Sequence, residues 1–319
     1  DAAGRARRLR PPDGELPTPS GPVTLDPPPV LLFTPFAPSP EMGRAVAGLV
    51  ARLVETRYGL RMSALVAASY DEVEDSLVSG RVTFAIVSPV LYVRVVDRFE
   101  RDSALRSGAV IRLLLNAVAR GSPTYLGYVV SAADSGIDDL DDVAGARFGM
   151  IDGSASGHLY PLDLMAARGI DVDVLLGGAT YFGGHADLAA ELLRPAGERS
   201  VDAGAIYDHI LHVMDPSDRS RLRVVGKTAR IPRDAVVARV PLSGGAEDRA
   251  VLRAAAAVQR VLLAIDPEEA LEIRAGTGSD GWIVGDDRRY DGLRAVYGRF
   301  SHHRPGDDGA AAGGAPDSE

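Results

Sequence analysis

Residues 149–158, Gly-Met-Ile-Asp-Gly-Ser-Ala-Ser-Gly-His, form the segment best suited to binding chemistry. An apolar run ends here and a helical pattern begins, so the segment predicts a loop leading into a helix N-terminus. Such a terminus has free amide N–H groups and partial positive charge. The hydroxyls of Ser154 and Ser156 add donors that can converge on a tetrahedral oxyanion. The alternative is ordinary N-capping by serine. No lysine follows the glycine, which argues against a nucleotide-binding P-loop.

Two of the six histidines, His158 and His185, are predicted at helix starts beside glycine-rich loops. A histidine in that position can donate a hydrogen bond to an anion. The alternative is a solvated or capping side chain. The sequence shows no zinc pair, paired carboxylates or Ser/His/Asp spacing in one loop, so an enzyme is not expected.

Ser88 and two tyrosines occupy comparable turns. Ser88 ends an apolar run and precedes Pro89, so it is expected to cap a helix at the carboxyl edge of a sheet, where open α/β sheets bind ligands. Tyr70 and Tyr125 lie at other predicted turns, and packing is the alternative role for each.

The pattern around these loops is an alternation of strands and helices, which indicates an α/β protein. In the first half, strands are predicted at 30–34, 60–68, 82–87 and 110–118, and helices at 41–58, 70–79 and 89–99. In the second half, strands are predicted at 126–130, 147–151, 172–176, 201–206, 222–226 and 236–239, and helices at 137–143, 158–168, 186–193, 207–214 and 248–264. The restart predicts two lobes.

Composition narrows the function classes. The 319 residues have a net charge of -9, which argues against a nonspecific nucleic-acid binder, and no cysteine, which excludes disulfides and thiolate metal sites. Eleven of the 21 prolines lie within the first 40 residues. We therefore expect a disordered proline-rich tether at 1–29 and a disordered tail at 301–319.

Seven short motifs follow one another along the folded part. They are 80–92 (GRVTFAIVSPVLY), 125–130 with 135–140, 154–157 (SASG) with Pro161, 180–185, 201–205 (VDAGA), 231–234 (IPRD) and 290–293 (YDGL). In this order they resemble motifs of the solute-binding proteins of phosphate, phosphite and phosphonate ABC importers, of the phosphonate-binding type.

This resemblance implies a two-lobed periplasmic-binding-protein fold of type II, each lobe a mixed, mainly parallel sheet flanked by helices. Lobe 1 would comprise 30–117 and 232–300, and lobe 2 would comprise 118–231. The implied function is capture of a small phospho-oxyanion (phosphonate, phosphite or phosphate) in an interlobe cleft for ABC permease subunits. It implies no cofactor, no metal and no catalysis.

The resemblance also implies a set of ligand-binding residues. They are Ser154, Ala155, Ser156, Gly157, His158, Tyr70, Tyr125, His185, Tyr207, Asp208, Thr34 and Ser88. Ser154 and Ser156 would bind the anion's oxygens together with the Gly157 and His158 amides, while Asp208 or Tyr207 would read the ligand's substituent. Ala155 replaces the usual threonine, so its amide alone remains.

We expect a monomer outside the cytoplasm, peripheral to the membrane, its signal peptide removed; a trimmed chain is the alternative explanation of its first residue. A ligand sensor feeding a histidine kinase, and a degenerate member that binds another small anion, stay open as alternatives.

Overall fold

The structure, a computed structural model, describes residues 15–33 and 40–301. Its strands are β1 (Val30–Phe33), β2 (Ser63–Val66), β3 (Phe84–Val87), β4 (Ala109–Val118), β5 (Thr124–Tyr125), β6 (Gly127–Ala132), β7 (Phe148–Met150), β8 (Thr180–Tyr181), β9 (Ala203–Tyr207), β10 (Leu222–Lys227), β11 (Ile231–Pro232), β12 (Ala235–Pro241) and β13 (Gly281–Val284). Its α-helices are α1 (Pro40–Tyr58), α2 (Tyr70–Ser79), α3 (Pro89–Arg101), α4 (Ser103–Gly108), α5 (Tyr160–Ala166), α6 (Val172–Gly177), α7 (His185–Leu192), α8 (Asp208–Val213), α9 (Pro216–Arg219), α10 (Ala246–Leu263), α11 (Pro267–Thr277) and α12 (Asp291–Phe300). A π-helix, Ala155–Leu159, leads directly into α5.

The chain divides into two compact units. Unit 1 is Asp1–Thr124 with Pro232–Asp291, and unit 2 is Tyr125–Ile231 with Gly292–Glu319. The boundaries therefore fall after Thr124, Ile231 and Asp291. The sequence had placed the first near 117 and kept all of 232–300 in lobe 1. Helix α12 therefore belongs to unit 2 from its second residue onward, and its Arg299 pairs with Asp163 of the same unit at 2.6 Å.

Unit 1 is built on a mixed sheet in the described part of the chain, with the order β13-β4-β12-β3-β1-β2. β1 pairs in parallel with both β2 and β3, whereas β12 runs antiparallel between β3 and β4, and β13 is antiparallel to β4. Helices α1 and α10 pack apolar residues against this sheet, among them Val50 and Val258. The carboxyl ends of β1, β2 and β3 therefore share one edge, at which helices α2 and α3 begin.

Residues 15–29 do not form the expected tether, because they pack on unit 1. Leu16 is 6% and Val23 1% exposed, and both belong to the apolar core of this unit. The Leu16 amide donates to the Gln259 side chain at 2.8 Å, and the Val23 amide donates to the Tyr58 carbonyl at 2.8 Å. A proline-rich chain can dock in this way because it has few amide groups to satisfy. Residues 1–14 and 302–319 lie outside the described residues.

Unit 2 has a mixed sheet in its described residues, with the order β10-β6-β9-β7-β8. β7 pairs in parallel with β8 and β9, and β6 runs antiparallel to β9 and β10. The parallel part presents the end of β7, and thus the 151–158 loop, at a carboxyl edge. Core residues such as Leu188 and Ile206 hold α7 against the sheet.

Two local predictions in unit 2 were wrong. The segment 172–176, expected as a strand, forms helix α6, because the Asp171 side chain caps the amides of Asp173 and Val174. The helix expected at 137–143 is reduced to a short 3₁₀ turn, Asp141–Val143. No helix in the described part of the chain is both long and apolar enough to cross a membrane.

Candidate functional site

The loop after β7 forms a helix N-terminus, as the sequence predicts. The Ser154 hydroxyl accepts a hydrogen bond from the Gly157 amide at 3.0 Å, which makes it the N-cap of the π-helix. The Ile151 amide donates to the Gly157 carbonyl at 3.0 Å, so the loop folds back on the strand end. π-Helical turns inside helices are frequent at functional sites, because they displace backbone groups from regular pairing.

Ser156 supplies a buried hydroxyl in this loop. Ser156 is 1% exposed. A hydroxyl buried in this way is stable when a protein group, a ligand or water takes up its hydrogen bonds. The loop packs so closely on β6 that a Cβ at Gly127 would lie 2.9 Å from the Ser156 carbonyl oxygen. The Ser156 backbone is therefore held firmly in place.

His185 lies at the start of α7 and joins this loop. Its Nε2 is 3.3 Å from the Ser154 hydroxyl. Burial lowers the pKa of His185 to about 4, and a hydrogen bond with the Ala205 backbone opposes that shift. The imidazole is therefore neutral at physiological pH and can donate one hydrogen bond. His158 is 2% exposed and its ring packs edge-on against Tyr181, with centroids 5.8 Å apart.

Aromatic side chains border the same region of unit 2. The Tyr207 ring lies 6.1 Å from the Tyr125 ring, 5.2 Å from His185 and 5.6 Å from His209, measured between centroids. Asp208 follows directly and is 8% exposed at the start of α8. The structure thus brings Tyr125, His185 and Tyr207 together, with Asp208 adjacent in the chain.

Unit 1 carries a second group of candidates at the carboxyl edge of its sheet. Tyr70 is the first residue of α2, and Ser88 caps α3 by accepting a hydrogen bond from the Leu91 amide at 3.3 Å. Burial and the charge of Asp234 raise the pKa of Tyr70 to about 12. Thr34, also predicted as a ligand contact, lies outside the described residues.

Asp234 belongs with this group, although the sequence analysis assigns it to a motif without a binding role. It immediately precedes Ala235, which pairs with Val87, so Asp234 stands at the strand edge beside Ser88. Burial raises the pKa of Asp234 to about 7, and the charge of Arg233 opposes the shift in part. The only signal for Asp234 in the sequence is an acid directly before a buried strand. The residues that surround Asp234 come from distant segments, so the sequence alone does not show its place in this group.

The described residues contain no cluster of histidine and acidic side chains that could hold a metal ion. The 154–158 turn offers neutral hydroxyl and amide donors, which can bind an oxyanion through charge-assisted hydrogen bonds.

The folds of solved structures are similar to this one. A binding protein component of an ABC phosphonate transporter from Pseudomonas aeruginosa matches with a TM-score of 0.62 at 18% identity, covering 86% of this chain and 87% of that one. PhnD1 from Prochlorococcus marinus, in complex with methylphosphonate, matches with a TM-score of 0.64 at 14% identity, covering 86% and 98%. These matches define the fold as the type II periplasmic-binding-protein fold, a mixed α/β architecture, as the sequence predicted.

Sequence comparison then gives the family. Residues 31–290 match the profile of the ABC transporter, phosphonate, periplasmic substrate-binding proteins, and the chain belongs to this family. These are substrate-binding transport proteins, which agrees with the expectation that the chain is not an enzyme. The phosphate-import protein PhnD of Mycolicibacterium smegmatis is 27% identical over 164 residues, 49% of this chain and 48% of that protein. The alignment thus spans about half of that relative.

Proposed function

We propose that this protein is an extracytoplasmic solute-binding protein that captures a small phospho-oxyanion and delivers it to the permease subunits of an ABC importer. The observation that carries the proposal is the 154–158 turn, where the buried Ser156 follows the capping Ser154, whose hydroxyl also lies 3.3 Å from His185 Nε2. Both lie at the N-terminus of a helical segment that continues through α5. We expect the protein to act as a monomer outside the cytoplasm.

The loop's chemistry supports an anionic ligand that offers several oxygens. The Ser154 and Ser156 hydroxyls and the amides of Ala155 and Ser156 are donors, and a phosphoryl group accepts at every oxygen. The Gly157 amide, which the sequence predicted as a further donor to the ligand, instead donates to the Ser154 hydroxyl. His185 adds a donor when its Nε2 carries the proton. Charge-assisted hydrogen bonds of this kind contribute roughly 1.5–3 kcal/mol each, so a few of them support micromolar affinity without any lysine or arginine.

The choice among phosphate, phosphite and phosphonates is the finer part of the proposal. Relatives differ on this point, since one is named a phosphate importer and another was solved with methylphosphonate. We propose that Tyr70, Ser88 and Asp234, at the carboxyl edge of the unit 1 sheet, are ligand-binding residues in their own right. A carboxylate such as Asp234 accepts a hydrogen bond from a protonated ligand oxygen or from an ammonium substituent, which a fully ionised anion does not offer.

The test is isothermal titration calorimetry with phosphate, phosphite, methylphosphonate and 2-aminoethylphosphonate. We expect at least one to bind the unchanged protein, and the variant Ser154→Ala/Ser156→Ala to bind it at least about a hundredfold more weakly, because two charge-assisted bonds are lost. Ser220→Ala is the matched control, because it removes an exposed hydroxyl of unit 2 that bonds only to the Ser217 carbonyl. No binding of any of the four, with the protein folded, would refute the proposal.

A further inference from the structure

Unit 1 contains a buried network of polar side chains that includes Tyr290, the first residue of the 290–293 motif. The proposed ligand-binding residues do not include Tyr290. The Tyr92 and Tyr290 rings lie 4.4 Å apart between centroids, and both residues are fully buried. The Tyr92 hydroxyl donates to Asp287 at 2.6 Å, and the Asn116 side-chain amide donates to the Tyr290 hydroxyl at 2.7 Å. Asp287 and Asn116 are equally inaccessible, at 0% and 1% exposure.

The Tyr290 hydroxyl also donates to the backbone carbonyl of Arg233 at 2.9 Å. The amide of Arg233 donates in turn to the Pro123 carbonyl at 3.0 Å. On the other side, the carbonyl of Asp234 accepts from the Ala117 amide at 2.9 Å. The peptide group between Arg233 and Asp234 is therefore held by a side chain from a distant part of the sequence, and the Tyr290 hydroxyl is used both as donor and as acceptor.

We infer that Tyr290 is a positioning residue, which fixes the backbone that carries Asp234 and so sets where the Asp234 carboxyl meets the ligand. The inference rests on the proposed function, in which Asp234 contacts the ligand. Tyr290 is fully buried, so we assign it a supporting role and no contact with the ligand. A carboxyl that hydrogen-bonds to one oxygen or one ammonium group of a ligand must be positioned to within a fraction of an ångström. A hydrogen bond that holds the backbone of the same residue supplies that positioning.

Tyr290→Phe tests the inference, with Tyr92→Phe as its matched control. Each variant keeps the ring and deletes one buried hydroxyl from the same stacked pair, so we expect similar losses of stability. Only Tyr290→Phe releases the Arg233 carbonyl. We expect it to weaken binding of the oxyanion that the unchanged protein binds best by roughly tenfold, as the loss of one buried hydrogen bond implies. Equal affinity losses in both variants, or none in Tyr290→Phe, would overturn the inference.

Hydrogen exchange of the ligand-free protein separates this inference from the proposed function. In Tyr290→Phe the amides of Arg233 and Ala117, which bracket the Asp234 backbone, should exchange at least about tenfold faster. In Tyr92→Phe they should keep the exchange rates of the unchanged protein. If the exchange result holds while no oxyanion binds, the proposed function fails and the positioning of Asp234 stands. If exchange at Arg233 and Ala117 is unchanged, the positioning role is wrong even where oxyanions bind.

Discussion

Gly157→Ala is the sharpest test of how the 154–158 turn is built. A Cβ at this position would lie 2.7 Å from Cβ and Cγ1 of Ile151 and 2.9 Å from Cε1 of His185. The first contact is about 0.7 Å inside ordinary van der Waals separation, and Ile151 Cβ is attached directly to the main chain. The backbone of Gly157 has no positive φ, so the clash alone, and not strain, decides the outcome.

The expected loss follows from the atoms that must move. Ile151 cannot retreat without shifting the end of β7, because its amide bonds to the Gly157 carbonyl. Overpacking of this kind destabilises a protein by roughly 1–3 kcal/mol. Displacement of the turn should also misplace the Ser154 and Ser156 hydroxyls and push His185 away from Ser154, which we expect to weaken oxyanion binding by about tenfold or more.

Urea denaturation measures the first effect and calorimetry the second. Gly177→Ala is the control, because nothing lies within 4 Å of its added Cβ and it ends a helix of the same unit. The control should stay within about 0.5 kcal/mol of the unchanged protein and keep its affinity. The reasoning is refuted if Gly157→Ala is as stable as the control and binds the oxyanion equally well.

Two further predictions concern pH and the N-terminal segment. Since the folded pKa of His185 is lowered to about 4 from 6.5, its contribution to stability is complete above pH 6.5 and is lost as pH falls towards 4, by no more than about 3 kcal/mol. Asp234, with its pKa raised to about 7, has the opposite effect, because its contribution to stability falls as pH rises. The measurement is therefore the difference in unfolding free energy between the unchanged protein and His185→Gln from pH 4 to 7. A difference that stays constant over this range would contradict the assignment to His185. Val23→Ala, in the segment that packs on unit 1, should lower the unfolding free energy by about 1–2 kcal/mol, whereas Val213→Ala, 65% exposed, should change it by less than about 0.5 kcal/mol. Equal effects of the two valine variants in urea denaturation would show that residues 15–29 do not dock.

The elements that the sequence predicted well are those whose ends are marked by capping residues. Helix α2 begins and ends at the predicted residues, because Ser69 caps it and Gly80 ends it in the left-handed conformation at φ 78°. The 154–158 turn was found for the same reason, since serine and glycine act on their own backbone. Helix α6 was missed because its apolar run is too short for periodicity to separate helix from strand.

Features that depend on distant segments were beyond the sequence. Asp234 is a candidate for binding because β12 lies beside β3, and that pairing joins residues far apart in the chain. Leu16 and Val23 dock because helices α1 and α10 offer an apolar surface, which a proline-rich composition does not reveal. Composition describes what a segment can do alone, whereas docking depends on what surface the rest of the fold leaves uncovered.

The net charge of -9 does not oppose an anionic ligand, because charge acts locally in a screened solution. The residues of the turn, 154–157, are neutral, and the acid nearest to them in the sequence, Asp152, is 53% exposed. Water and salt therefore screen the charge of that carboxylate. The dipoles of the hydroxyls and amides of the turn act on a ligand at short range, where screening is weak. Neutral donors stabilise a ligand only through hydrogen bonds of good geometry. We therefore expect the number and placement of the donors to determine which anion binds. Ala155 bears on this proposal because it is buried in the turn and has no side-chain hydroxyl, so the only donor that it could offer a ligand is its amide.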